Sequence, residues 1–169
     1  MGGDTLYQVG DNIFYPMHGA GQIDAIEEKE VGGEKQQYYI IHMIDDNMKV
    51  MIPQKKASKS NIRPVTDMDT IKEILTMMDT EEADVELSWK QRFKANEDRI
   101  KTGSLKSCVE VIYDLLRMQK EEKLNSSEKR LLKQAQKFLM SELRLVEGMD
   151  KENKDKFISR LSDDHAAIS

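Results

Sequence analysis

The chain has 169 residues, of which 38% are hydrophobic and 34% charged, and its formal net charge is −5. That balance suits one large or two small soluble domains with modest apolar cores and disfavours a general nucleic-acid binder. No run of eighteen apolar residues marks a membrane span, the polar start MGGDTLYQVG is unlike a signal peptide, and the single cysteine, Cys108, excludes an internal disulfide and a cysteine-based zinc site.

The first signals along the chain are strands. NIFYP (12–16) and GQIDAIEEKEV (21–31) alternate apolar and polar side chains, as half-buried strands do. Gly32-Gly33 supplies the positive φ angles of a tight hairpin, and QQYYIIHMI (36–44) returns from it. Asp45-Asp46-Asn47 makes a second turn before KVMIP (49–53), and NIRPV (61–65) adds a last short strand that Pro64 ends. Five short strands predict a small, strongly bent antiparallel barrel of the SH3 or Tudor type over residues 1–66.

From residue 67 the period becomes helical. Asp69 is placed to cap a short helix carrying Ile71, Ile74, Leu75 and Met78. The acidic stretch DTEEADVEL (79–87) lacks apolar periodicity and reads as a linker, so 67–87 is expected to be a short helix plus linker. Ser88 and Gln91 form a capping-box pair that opens a helix running to about Lys101 and ending at Gly103. Ser104 caps the next, whose apolar face is Leu105, Val109, Ile112, Leu115 and Leu116. Asn125 or Ser126, with Glu128 close behind, opens a third helix that contains Leu131, Leu132, Phe138 and Leu143 and stops by Gly148. Residues 88–148 thus read as a helical bundle, and 149–169 as a tail with a short amphipathic segment around Phe157, Ile158 and Leu161. The expected class is α+β, a β-barrel followed by a helical bundle.

The net charge hides an uneven distribution. Residues 1–86 carry 8 Lys and Arg against 17 Asp and Glu, whereas residues 87–147 carry 14 against 9. An acidic front joined to a basic middle suggests two modules with different partners. Enzymatic chemistry has little to stand on. His18, His42 and His165 are scattered without metal-ligand spacing, and Cys108 falls near the apolar face of a helix, where a structural thiol belongs. Asp45-Asp46-Asn47 lacks the glycine and distal glutamate of a calcium loop, and GAGQ (19–22) lacks the lysine of a phosphate loop. No catalytic group, metal or cofactor is expected.

The basic region centres on LSWKQRFKAN (87–96), which holds the only tryptophan, Trp89. Trp89, Phe93 and Ile100 fall on or near one helical face, so the ring could cover the bundle core. It is also the first residue of its helix, among Lys90, Arg92 and Lys94, with Lys129, Arg130 and Lys133 opening a later helix. A helix mouth attracts phosphates, and an exposed ring rimmed by cations could wedge beside a base pair. Spacing alone leaves both readings open.

The opening W-x-x-R-F-K-A-N, the Thr102-Gly103 break and the L-x-x-x-E-K-R-x-L start of the third helix resemble the C-terminal domain of CarD/CdnL-family bacterial transcription regulators. The front, VGDNIFYPMHGAG (9–21), is similar to the start of the family's N-terminal domain, which is related to that of the transcription-repair coupling factor. The resemblance covers residues 7 to about 148, with two modules in the right order. It implies a barrel that docks on the RNA polymerase β subunit, with Lys29 in the hairpin as first contact. Met51 stands where relatives carry arginine, so Met51, Ile52 and strand pairing share that contact. It also implies that Trp89 enters the minor groove at the upstream edge of the promoter bubble, with Lys90, Arg92, Lys94, Lys129 and Arg130 near the phosphates. The implied protein is a cytoplasmic monomer on polymerase, without cofactor or membrane. A rival reading is a protein-only adaptor with Trp89 in its core.

Overall fold

A computed structural model describes residues 6–80, 87–121 and 123–166. Strands β1 (Asn12–Tyr15), β2 (Gly19–Val31), β3 (Glu34–Met43), β4 (Lys49–Pro53) and β5 (Arg63–Pro64) form one antiparallel sheet in the order β4-β3-β2-β1-β5. A short helical turn, α1 (Gln54–Ala57), leads from β4 toward β5. The β2–β3 hairpin turns through Gly32 and Gly33, with φ of 62° and 84°, as the sequence predicts, but β3 begins at Glu34, paired with Val31, two residues before the expected return strand. A register shift between Ile23 and Ala25 marks a bulge that bends the long β2 strand, so that the meander curls into the expected SH3/Tudor-like barrel. Its interior holds Tyr7, Ile13, Ile23, Tyr39, Ile41, Met43, Ile52 and Ile62.

Among the described residues five further helices follow: α2 (Met68–Thr80), α3 (Trp89–Thr102), α4 (Leu105–Lys120), α5 (Ser126–Leu143) and α6 (Lys151–Ala166). The cap of α2 is Asp67 rather than Asp69, because Asp67 Oδ1 accepts the Thr70 amide at 2.8 Å. That bond holds the Asp67 carboxyl below its ordinary range. The α3 capping box is complete, and the helix ends on Gly103 at φ 79°. Ser104 caps α4 and Asn125 caps α5. The expected linker at 79–87 lies mostly outside the described residues.

The helical core is wider than 88–148. Ile71, Ile74 and Met78 of α2 and Phe157 and Leu161 of α6 join Ile100, Val109, Ile112, Leu115, Leu132 and Leu139 in one cluster. The tail segment expected to be short is thus a sixteen-residue helix packed on the bundle.

That core also takes in part of the barrel. Adjacent residues of β1 point to opposite faces: Ile13 enters the barrel, while Phe14 enters the helical core with its ring edge-on to Phe138 at 6.0 Å. Strand β1 is therefore buried on both sides, not half-buried as its pattern suggests. Arg63 completes the joint. Its Nη1 and Nη2 donate to the two oxygens of buried Glu142 at 2.7 Å each, its Nε donates to the Gly103 carbonyl at 2.8 Å, and its guanidinium lies 4.6 Å from the Phe14 ring centre. Thr66 adds its amide and hydroxyl to the same carboxylate, both at 2.8 Å. The Ala20 amide donates to Ser141 Oγ at 3.1 Å. Barrel and helices are joined by shared apolar burial and a satisfied buried ion pair.

Candidate nucleic-acid interface

Trp89 is the first residue of α3, held at the helix mouth by the Ser88 cap. The apolar stripe of α3 divides there: Ile100 is buried and Phe93 packs partly on the core, but Trp89 remains 49% exposed. No tyrosine or phenylalanine ring among the described residues is exposed to that degree. Leu87, just outside the cap, is 45% exposed and extends the apolar tip. Lys90 Nζ sits 5.9 Å from the tryptophan ring centre, at the outer limit of a cation–π contact.

The remaining cations divide into tethered and outward groups. Arg92 is tethered: its Nε and Nη2 donate to both oxygens of Glu128 at 2.7 and 2.8 Å, with the two side chains 13% and 0% exposed. Glu128 holds the Arg92 guanidinium above its ordinary pKa. The pair takes up Nε and Nη2 and joins the first turn of α3 to the first turn of α5. Arg99 is engaged too, donating to buried Asn96, which in turn donates to Asp114. Lys94 is exposed and pairs with Asp98 one turn on at 2.9 Å, a solvent-screened contact that a phosphate can replace. Lys129 and Arg130 are exposed on the first turn of α5, directly after Glu128.

The Arg92–Glu128 pair is what sequence reasoning missed. It sets two helix N-termini side by side, with Trp89 and Lys90 on one and Lys129 and Arg130 on the other. Each N-terminus contributes unpaired amides and the positive end of a helix dipole. The arrangement suits an anionic backbone flanking something the ring can stack against. A signal for it existed: Glu128 is the third residue after the Asn125 cap, where a carboxylate normally serves its own helix mouth, and it lies among basic residues.

The barrel residues are also sorted. Met51 is 48% exposed on β4, an edge strand of the sheet, whose outer backbone groups are open to strand pairing. Ile52 is 5% exposed, and the simple alternation of the strand turns its side chain into the barrel core. Lys29, half-exposed on β2, pairs with Glu27 at 3.4 Å in a hairpin that also carries Glu28, Glu30 and Glu34. The histidine of the β1–β2 turn is structural: the His18 amide donates to the Tyr15 carbonyl at 2.9 Å and its ring lies 4.2 Å from that of Tyr15. Cys108 is buried, donates to the Ala135 carbonyl at 3.3 Å, and has its thiol pKa pushed up to about 12 by burial and the nearby Glu142 charge. No helix among the described residues is long and apolar enough to cross a membrane.

Comparisons with known proteins agree with this division. Residues 7–66 match the model of the CarD-like/TRCF RID domain, and residues 73–159 match that of the CarD C-terminal domain. The chain is 55% identical over 144 residues to the putative transcription factor YdeB of Bacillus subtilis, an alignment covering 85% of this chain and 94% of that protein. It is 33% identical to the N-terminal domain of Myxococcus xanthus CarD, solved in solution by NMR, over 34% of this chain and 76% of that one, with a TM-score of 0.30. With both of its parts matched in order and a relative aligned over most of its length, the chain belongs to the CarD family.

Proposed function

We propose that the protein is a transcription regulator that rides on RNA polymerase and stabilises the open promoter complex. The barrel docks on the β subunit through the β4 edge, with Met51 and the exposed stem of the Lys29 hairpin beside it. The acidity of that hairpin favours strand pairing and apolar contact over charge attraction as the source of affinity. The helices then meet promoter DNA at the upstream edge of the bubble. Trp89 packs against a distorted base step, Lys90 and Lys94 flank it on α3, and Lys129 and Arg130 reach the backbone from α5.

The observation that carries this reading is the half-exposed Trp89 at two joined helix mouths. The adaptor alternative needs that ring in the core. No base-edge reader is required, so recognition follows bubble shape and polymerase placement. A protein of net charge −5 binds free DNA weakly, and tethering to polymerase raises its local concentration enough for a weak wedge to act.

The test is the lifetime of the open complex formed by a cognate bacterial polymerase. Stacking of a base on an aromatic ring is worth roughly 1–3 kcal/mol, so the wild-type protein should lengthen the lifetime about five- to 150-fold. Folded Trp89→Ala should abolish most of that gain. Equal lengthening by both proteins removes the tryptophan from the mechanism, and no lengthening by either favours the adaptor.

A further inference from the structure

Helix α5 has two carboxylates, and both are turned inward. Glu128 is paired with Arg92 and Glu142 with Arg63, each almost fully buried. The exposed positions of the helix are left to Lys129, Arg130, Lys133, Lys137 and uncharged polar side chains, and exposed Arg144 follows its end. Lys129, Lys133 and Lys137 recur every four residues, about 6 Å of rise at each step. The sequence as a whole is acidic, yet folding sorts the charges of this helix so that its outward face carries one sign. That face begins beside Trp89, where Arg92 holds the helix mouths together. It ends at the barrel, where Ser141 and Glu142 make the joint.

The two ends differ. Among the described residues, no carboxylate pairs with Lys129, Arg130 or Lys133. At the barrel end, Lys137 Nζ lies 3.5 Å from Asp46 and Arg144 Nη1 lies 3.4 Å from Asp45, both aspartates coming from the β3–β4 turn. Three of these four side chains are about half-exposed, so the pairs are screened by water and readily exchanged.

We propose that the outward face of α5 is a phosphate track for duplex DNA, leading from the Trp89 patch toward the barrel, and that Asp45 and Asp46 are counter-charges at its far end. The two aspartates occupy Lys137 and Arg144 until a phosphate displaces them. They shorten the track, keep affinity for free DNA low, and let the full length engage only when polymerase already holds the duplex. Duplex DNA presents a negative charge every ~1.7 Å of its axis, dense enough to serve cations spaced along a helix. The inference rests on the DNA-contact reading above and extends it to residues that reading does not use.

The experiment is fluorescence-anisotropy binding of the full chain to a short duplex with a mismatched bubble, across a salt series. Wild type, Trp89→Ala, Lys133→Gln and the Asp45→Asn/Asp46→Asn double variant are compared, each checked by a melting curve. Lys133→Gln should lower the slope of log affinity against log salt by about 1, and the double variant should bind more tightly with a slope steeper by up to about 2. If Trp89→Ala weakens binding while Lys133→Gln and the double variant keep the wild-type slope, the track is overturned and the wedge stands. If even the double variant binds no bubble duplex at the lowest salt, the track is overturned, and the wedge is judged separately by the open-complex lifetime. Binding of the double variant to polyglutamate as tightly as to DNA would overturn the track in favour of an acidic protein partner.

Discussion

Arg92 and Glu128 lie thirty-six residues apart and meet through two hydrogen bonds of 2.7 and 2.8 Å, one to each carboxylate oxygen. The pair is nearly dry, and it fixes which way the first turns of α3 and α5 face. The glutamate backbone amide is itself held by the Asn125 cap at 2.9 Å, so the carboxylate is anchored at both ends of its side chain. Two exposed cation-bearing turns are thereby set in register by a pair that is itself largely withdrawn from solvent.

Removing one partner should be more damaging than removing both. Glu128→Ala leaves a buried guanidinium unpaired and should lower unfolding free energy by about 3–5 kcal/mol, a large share of the 5–15 typical of a domain. Arg92→Met combined with Glu128→Leu should recover most of that loss, because apolar replacements carry no desolvation penalty. Urea unfolding of the three proteins measures both effects. A loss below about 1 kcal/mol in Glu128→Ala would show that the pair does not hold the helices together.

Trp89→Ala should be nearly silent in stability. A half-exposed ring gives up little packing, and the change should stay within about 1 kcal/mol. Phe157→Ala, at 2% exposure in the helical core, should lose about 3–5 kcal/mol. As the only tryptophan, Trp89 also reports on itself: acrylamide should quench its fluorescence strongly in the native state. Weak quenching would return the ring to the core.

Much of this was legible in the chain because the signals were local. The Gly32-Gly33 turn, the Ser88–Gln91 box and the Gly103 stop each depend on a few neighbouring residues, and each is found where expected. Resemblance pointed to Trp89 as an exposed ring, whereas helical spacing could not separate it from Phe93. The joint between barrel and helices was not legible. Nothing near Arg63 in sequence points to Glu142, seventy-nine residues away, and a strand buried on both faces looks half-buried until its second neighbour is known. The same distance effect hid the tethering of Arg92, which on composition alone reads as one more cation of the patch. The inward turn of Ile52 has a simpler origin: in a strand the residue beside an exposed one faces inward.

The turn between β1 and β2 stores strain that can be released. Pro16 and Met17 occupy its centre, the His18 amide closes it on Tyr15, and Met17 has φ 70°, a value that suits glycine. Met17→Gly should therefore stabilise the fold by up to about 1 kcal/mol, the left-handed penalty less the extra freedom glycine gives the unfolded chain. The contrary case is Gly103, at φ 79°, where an added Cβ would overlap the Pro16 ring at Cγ and Cβ. Gly103→Ala combines that overlap with the backbone penalty and should lose more than about 2 kcal/mol. Thermal unfolding of both variants reads the two signs directly.

Cys108 gives a pH dependence with a defined direction. Burial raises its thiol pKa to about 12, while the unfolded chain should titrate near the ordinary value of about 8.5. Below about pH 8.5 the thiol is protonated in both states, so this group adds no slope there. Between about 8.5 and 12 the unfolded state has released the proton and the folded state has not, so stability falls as pH rises, by at most about 1.4 kcal/mol per pH unit. Urea midpoints from pH 8 to 10 should therefore decline more steeply in the wild type than in Cys108→Ala, which cannot ionise. Native protein at pH 8 should also resist iodoacetamide, reacting only as fast as it opens. Parallel declines in the two proteins, or rapid native alkylation, would mean that the thiol is reached by solvent and that its burial against Ala135 is not maintained in solution.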